Sequence, residues 1–215
     1  MMGPKKEMHM ETEYHVQMDW KEGRWQGVLS GDGKEVPFCG LDELIQTQLR
    51  LDLRELRSLA WVDPLTGLLN RRGLENGLAR AAGEEVGLLF LDVDELKRIN
   101  DIWGHLRGDH ALKRVSWQLE QLTRPGDLAG RIGGDEFVVV LRDVGSRDEL
   151  KRLGEKLCRD IAEAESELGL SVSVGACWEK AGPSLTQLLE RADWTLNQAK
   201  RRGKNQVVLY GEKEE

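Results

Sequence analysis

Nowhere in its 215 residues does the chain hold an apolar run approaching the ~20 residues that a bilayer-spanning helix needs. No membrane insertion is therefore expected. The opening Met-Met-Gly-Pro-Lys-Lys-Glu leads into no apolar stretch, so no secretory leader is expected either. Cysteine is scarce and scattered: Cys39, Cys158 and Cys177 are odd in number, which argues against a disulfide framework or a zinc site. Free thiols in a reducing cytosol are the expectation, and with them a cytoplasmic location. Basic residues are not in excess. The 31 Lys and Arg against 38 Asp and Glu leave a formal net charge of −7, which excludes a general nucleic-acid binder but not a local basic pocket. No repeat, no low-complexity tract and no haem, flavin or phospho-acceptor motif is present, and the length suits one ordinary domain with a small appendage.

Residues 1–12 are polar and read as a disordered tail. Residues 13–40 hold a small β unit: Tyr14–Trp20 alternates, Arg24–Ser30 forms a second run, and Glu35–Phe38 a third. So few residues cannot bury an independent core. The unit needs a helix, the main domain or a second copy of itself to pack on, and a sensory or dimerisation role follows from that. Residues 41–62 read as a linker helix, with Leu44, Ile45, Leu49, Leu53, Leu56 and Ala60 on one side. That stripe suits either a two-helix stalk or a helix lying on its own domain. Asp63-Pro64 ends it, because proline disfavours helix at the residue before it.

From residue 63 to 213 helix and strand patterns alternate. Helices are predicted over Leu68–Ala82, Gly108–Leu122, Asp148–Leu168 and Ser184–Arg202. Strands are predicted over Val86–Val93, Leu128–Ile132, Phe137–Leu141, Leu170–Trp178 and Gln206–Tyr210. Helices on one largely antiparallel sheet make an α+β domain, and the β-α-β-β-α-β order at its heart is ferredoxin-like.

Two segments carry chemistry. Arg131-Ile132-Gly133-Gly134-Asp135-Glu136-Phe137 sits between two strand patterns, where the glycines permit a tight turn and close approach of a bulky ligand. The acids then face that ligand, and acids beside phosphates call for Mg²⁺ between them. Leu91-Asp92-Val93-Asp94-Glu95-Leu96-Lys97 ends a buried strand, whose alternation sends Asp92 and Asp94 to one side. A carboxylate there meets the hairpin acids if the two strands are neighbours.

With these segments, Asp63-Pro64-Leu65-Thr66-Gly67-Leu68, Asn70-Arg71-Arg72, Asn100-Asp101, Gly104-His105, Gly108-Asp109, Ser173-Val174-Gly175, Ala192-Asp193 and Ala199-Lys200-x-x-Gly203-Lys204-Asn205 follow in order. Over about residues 61–211 the chain resembles the GGDEF family of diguanylate cyclases, which join two GTP into cyclic di-GMP with release of pyrophosphate. The resemblance implies a nucleotidyl-cyclase palm acting as a homodimer with Mg²⁺, or Mn²⁺ in its place. Asp92 and Asp135 match the metal carboxylates, with the carbonyl of Val93 as a further ligand. Glu136 matches a metal ligand or acid–base participant. Asn100 and Asp109 match the pair that reads the guanine edge. Lys97, Lys200 and Lys204 match phosphate-neutralising cations, Lys97 counted with the catalytic set. The backbone at Glu95 and Leu96 matches the loop cradling the β- and γ-phosphates. His105 lies near the nucleotide in relatives, or makes a structural hydrogen bond. Arg124 and Asp127, in Arg124-Pro125-Gly126-Asp127, resemble the family's product-inhibition site.

The chain departs from the family pattern at four positions. Leu96 stands where Phe is usual, and should preserve packing. Glu95 stands where phosphates pass, and its side chain must point outward. Lys204 replaces an Arg, exchanging a bidentate fork for a point charge, and Asn197 replaces a Tyr. The resemblance thus carries a second reading, a degenerate domain that binds cyclic di-GMP without making it. A cyclase taking ATP is opposed by Asp109. Among the seven tryptophans, Trp117 and Trp194 are expected in core or interface. Trp103 is expected at the wall of the pocket, and Trp20 and Trp25 in packing of the β unit.

Overall fold

The computed structural model describes residues 15–21, 24–31, 34–39, 43, 60–81, 83–180 and 184–211. The chain divides into two units, Met1–Ser58 and Leu59–Glu215. The expected tail at 1–12 lies outside the described residues. So does the expected helix at 41–62, apart from Glu43 and residues 60–62.

In the first unit, strands β1 (His15–Lys21), β2 (Arg24–Gly31) and β3 (Lys34–Cys39) form an antiparallel meander in the order β1-β2-β3. Each lies within one residue of the run its alternation predicts. Trp20 and Trp25 are direct cross-strand partners. Leu29 is buried, and the amide of Cys39 donates to Glu43 Oε2 at 2.7 Å.

The second unit is built on a five-stranded sheet in the order β5-β6-β4-β7-β8. Its strands are β4 (Glu85–Val93), β5 (Leu128–Arg131), β6 (Glu136–Arg142), β7 (Val172–Lys180) and β8 (Val207–Leu209). The helices are α1 (Arg71–Leu78), α2 (Leu96–Trp103), α3 (His105–Leu122), α4 (Arg147–Ala164) and α5 (Leu185–Arg201). All neighbours pair antiparallel except β7 and β8. Without β8, the strands follow the ferredoxin-like β-α-β-β-α-β path, so the expected fold class holds.

The central strand explains the layering. Alternate residues of β4 point to opposite faces. Leu89, Leu91 and Val93 pack with Ala111, Val115 and Leu119 of α3 and with Leu157 and Ile161 of α4. Val86, Leu88 and Phe90 pack with Leu74 and Leu78 of α1 and with Leu188, Ala192 and Leu196 of α5. Because β4 is covered on both faces, it reads as one apolar run. Each fully buried Leu among these contributes roughly 1.5–3 kcal/mol. Gly175 lets α5 lie directly on β7: a Cβ there would stand 2.0 Å from Ala192 O and 2.5 Å from Leu196 N.

Several helix starts differ from the sequence reading. α1 begins at Arg71 rather than Leu68, because Leu69 is held as strand. Its amide donates to Ala129 O at 3.1 Å, and its carbonyl accepts from Arg131 N at 2.8 Å. Asn70 then caps the helix, accepting from Gly73 N at 3.0 Å. α4 ends at Ala164, and a separate 3₁₀ turn covers Ser166–Leu168. α2 was not expected at all. Its eight residues are too few for a clear helical period, and Gly104, at φ 82°, divides it from α3.

Trp117 and Trp194 are half exposed, so neither belongs to the core. The Arg114 guanidinium lies 5.3 Å from the Trp117 ring centre, and Trp194 meets Tyr210 edge-on at 6.5 Å. Among the described residues, no helix is long and apolar enough to cross a membrane.

Candidate active site

The site forms where β4 and β6 end together. Asp92 pairs in register with Glu136 on β6 and with Ser173 on β7. Asp92 and Glu136 therefore share the sheet face covered by α5. From that helix Lys200 Nζ reaches Asp92 Oδ2 at 2.8 Å. The amide of Val93 donates to Asp135 O at 3.0 Å, which holds the hairpin turn against the end of β4.

The acids crowd one another. Burial pushes the Asp92 carboxyl above its ordinary range; the Lys200 ammonium opposes this, while Asp135 and Asp94 add to it. Burial also raises Glu136, with Asp135 and Asp92 adding and Lys200 opposing. A cation beside these groups relieves both effects. Among the described residues no three His, Cys, Asp or Glu side chains converge as a ready cage. A nucleotide-bound Mg²⁺ does not need one, since it takes one or two carboxylates and completes its shell with phosphate oxygens and water. Asp92, Asp135, Glu136 and the Val93 carbonyl fit that donor set.

The two turn glycines serve different ends. Neither has a positive φ. Gly133 is needed because Glu136 folds over it: a Cβ would stand 2.3 Å from Glu136 Oε2. Gly134 faces open space, the approach a ligand requires.

The turn is braced from behind by Arg131 and Asp63. Arg131 Nη2 donates to Gly134 O at 2.7 Å, and its Nη1 donates to Asp63 Oδ1 at 3.1 Å. Asp63 Oδ1 also accepts from the amide and hydroxyl of Thr66 at 2.9 and 2.6 Å. Burial alone would raise the Asp63 carboxyl, but the Thr66 and Arg131 hydrogen bonds outweigh it and hold the group below its ordinary value. The Asp63-Pro64-Leu65-Thr66 block was legible as a motif, but its partner across the fold was not.

At the start of α2, Glu95 is left-handed at φ 53° and ψ 32° and does not cap the helix with its side chain. The backbone N–H groups of this first turn thus form a place for an anion. Lys97 is exposed beside it, and Leu96 packs against the core as expected. Glu95 turns outward, its Oε1 2.7 Å from Lys204 Nζ and its Oε2 3.1 Å from Arg98 Nη1. The Lys204 bond and the Arg98 bond hold the Glu95 carboxyl below its ordinary value, and Glu95 raises Lys204 in turn.

The two base-reading candidates are brought together by a glycine. A Cβ at Gly108 would stand 1.9 Å from Asn100 Oδ1, so the Asn100 amide lies against α3 one residue from Asp109. His105 is exposed, with no side-chain hydrogen bond among the described residues. Asn197 bonds back to Asp193 O at 3.0 Å on its own helix.

Arg124 and Asp127 lie at the other end of β6. Asp127 Oδ2 accepts from Arg124 N and its Oδ1 from Arg142 N, both at 2.8 Å. The pair closes a turn around Gly126, with Arg124 exposed. At ~3.4 Å per residue along β6, this turn is roughly 20 Å from the acids.

A ferredoxin-like palm with crowded acids at the end of its central strands is the class these features define. The family model for the diguanylate cyclase GGDEF domain matches residues 60–206. Diguanylate cyclase DosC of Escherichia coli K12 is 37% identical over 175 residues, covering 74% of this chain and 38% of that protein. Diguanylate cyclase DgcM of the same organism is 35% identical over 193 residues, covering 86% of this chain and 46% of its own length. The crystal structure of the coiled coil and GGDEF domain of DgcB from Caulobacter crescentus, in complex with c-di-GMP, superposes with a TM-score of 0.67 at 30% identity, covering 77% of this chain and 94% of that one. The chain belongs to the GGDEF family of diguanylate cyclase domains. It spans less than half the length of DosC and DgcM.

Proposed function

We propose that this protein is a diguanylate cyclase that condenses two GTP into cyclic di-GMP and two pyrophosphates. The observation that carries this reading is the crowding of Asp92, Asp135 and Glu136 at one end of the sheet, faced by Lys200. Asn100 and Asp109 hold the guanine edge, the carboxylate accepting from N–H groups that adenine does not offer. The α2 N-terminus, Lys97, Lys200 and Lys204 take the triphosphate, and binding transfers Lys200 and Lys204 from Asp92 and Glu95 to phosphate oxygens. Mg²⁺ held by Asp92, Asp135, Glu136 and the Val93 carbonyl would lower the pKa of the attacking 3′-hydroxyl and stabilise the leaving oxygen. The protein otherwise acts by position and charge.

Each domain holds one GTP, so two copies face each other about a two-fold axis. The N-terminal unit and residues 41–62 supply that pairing. Removing residues 1–60 then raises the protein concentration needed for activity; unchanged specific activity at nanomolar dilution contradicts it. Arg124 and Asp127 take the product, and because that turn is remote from the acids the inhibition acts at a distance rather than by competition. GTP as substrate and free thiols agree with a cytoplasmic location.

The test is incubation of nucleotide-stripped protein with GTP and Mg²⁺, with chromatography of the products. Cyclic di-GMP that vanishes in Asp135→Ala supports the cyclase. No product over a wide protein range, with cyclic di-GMP binding retained, favours the receptor reading.

A further inference from the structure

The cyclase reading leaves one buried carboxylate without a task. Asp94 is 5% exposed. It lies one residue past the end of β4 and turns toward β7. Its Oδ1 accepts from Ser173 Oγ at 2.7 Å and its Oδ2 from Ser171 Oγ at 2.8 Å. The same Oδ2 accepts from the backbone amide of Asn205 at 3.2 Å. A carboxylate this deep is costly to bury unless its oxygens are satisfied, and here three donors from two separate segments do so.

The third donor gives the arrangement its meaning. Lys204 and Asn205 are both left-handed, at φ 65° and 47°, and follow Gly203 at φ 117°. Three consecutive positive φ values are a strained way to leave a helix, because non-glycine residues avoid this region. Such a turn persists only when its surroundings hold it. Lys204 N donates to Ala199 O at 3.1 Å, and Gln206 Nε2 donates to Lys204 O at 3.3 Å. Asp94 supplies the link that ties the turn to the central strand. Its neighbour Glu95 meets the Lys204 ammonium at 2.7 Å. Consecutive acids of the β4–α2 loop thus hold consecutive residues of the turn, one by backbone and one by side chain.

We infer that Asp94 is a positioning residue: through the Asn205 amide it fixes the left-handed Lys204–Asn205 turn and so sets the Lys204 ammonium beside the β4–α2 loop that receives the triphosphate. Ser171 and Ser173 orient the carboxylate for this purpose. The inference rests on the diguanylate cyclase reading for the identity of the nucleotide, but not for the clamp itself.

Two measurements test it. In Asp94→Asn the charge is lost and a single oxygen remains, for which Ser171, Ser173 and the Asn205 amide must compete. Hydrogen exchange at the Asn205 amide should then accelerate roughly tenfold or more, while β4 and β6 amides keep their protection. Binding of an α,β-methylene GTP analogue with Mg²⁺ should weaken roughly tenfold in Asp94→Asn and in Lys204→Ala alike, the loss of one charge-assisted contact. The double variant should be no weaker than Lys204→Ala alone, because Asp94 acts through Lys204. Additive losses in the double variant, or unchanged exchange at Asn205, overturn the inference. If Asp94→Asn does not fold, Ser171→Ala combined with Ser173→Ala carries the same two readouts. A wild type that binds no GTP analogue overturns the cyclase reading and the nucleotide half of this inference, while exchange at Asn205 still decides the clamp.

Discussion

Lys200 Nζ stands 2.8 Å from Asp92 Oδ2, bridging the last turns of α5 to the end of the central strand. The carboxylate side chain is 15% exposed and the ammonium 36%, so the cation remains free to exchange partners. Asp92→Asn keeps the shape and removes the charge. It should lower GTP turnover by about 10³-fold or more, and Lys200→Ala by about 10²–10³-fold, as for other groups that stabilise transition-state charge. Both should keep a cooperative melt. Turnover assays with thermal unfolding check this, and a tenfold or smaller loss in Asp92→Asn would remove that residue from the catalytic site.

Asp63 and Arg131 make the brace behind the Gly-Gly turn, with side chains 19% and 13% exposed. Asp63→Asn should cost about 1.5–3 kcal/mol, the range for a charge-assisted hydrogen bond. Because the folded-state pKa of Asp63 is depressed, its contribution is fully present above the unfolded value of about 3.9 and is lost as pH falls through the folded value. The stability gap between wild type and Asp63→Asn should be flat from about pH 5 to 8 and narrow below about pH 4. Urea melts across that range measure it, and a gap that widens toward acid would contradict the assignment.

Gly108 is where the Asn100 side chain rests, since a Cβ would stand 1.9 Å from its oxygen. Gly108→Ala must displace Asn100. The variant should weaken GTP binding by roughly tenfold or more and cost about 1–3 kcal/mol through overpacking. Calorimetric titration against GTP and ATP reads the first effect: selectivity for GTP should fall. Equal loss for both nucleotides would mean that Asn100 does not read the base.

The thiols divide by burial. Burial pushes Cys158 and Cys177 each up to about 12, and both are enclosed, whereas Cys39 is exposed. A disulfide reagent at neutral pH should titrate one thiol quickly in the native protein and three after denaturation. Rapid reaction of two or more in the native state would show that the core opens.

Sequence and tertiary structure divided the information along a physical line. Segments with a long apolar period announced themselves. β4 and α3 were legible because burial of many side chains fixes period and face together. The Gly133–Phe137 and Asp92–Leu96 blocks stood out because they recur, in order and at the family's spacing, with the other matching segments. α2 was invisible, being short and joined to α3 through one glycine. The reason for Gly133 was also hidden: it serves the Glu136 side chain rather than a positive φ.

The sequence by itself determined the fold class, the family and which residue types gather at the ends of the strands, because periodicity and local motifs are properties of neighbours in the chain. Only the tertiary structure decided the partners. It joined Asp63 to Arg131, Lys200 to Asp92, Glu95 to Lys204, and Asp94 to Ser171, Ser173 and Asn205. These pairs lie far apart in sequence. Hydrogen bonds and charges act over a few ångströms of space, and that distance is set by how the helices and strands pack.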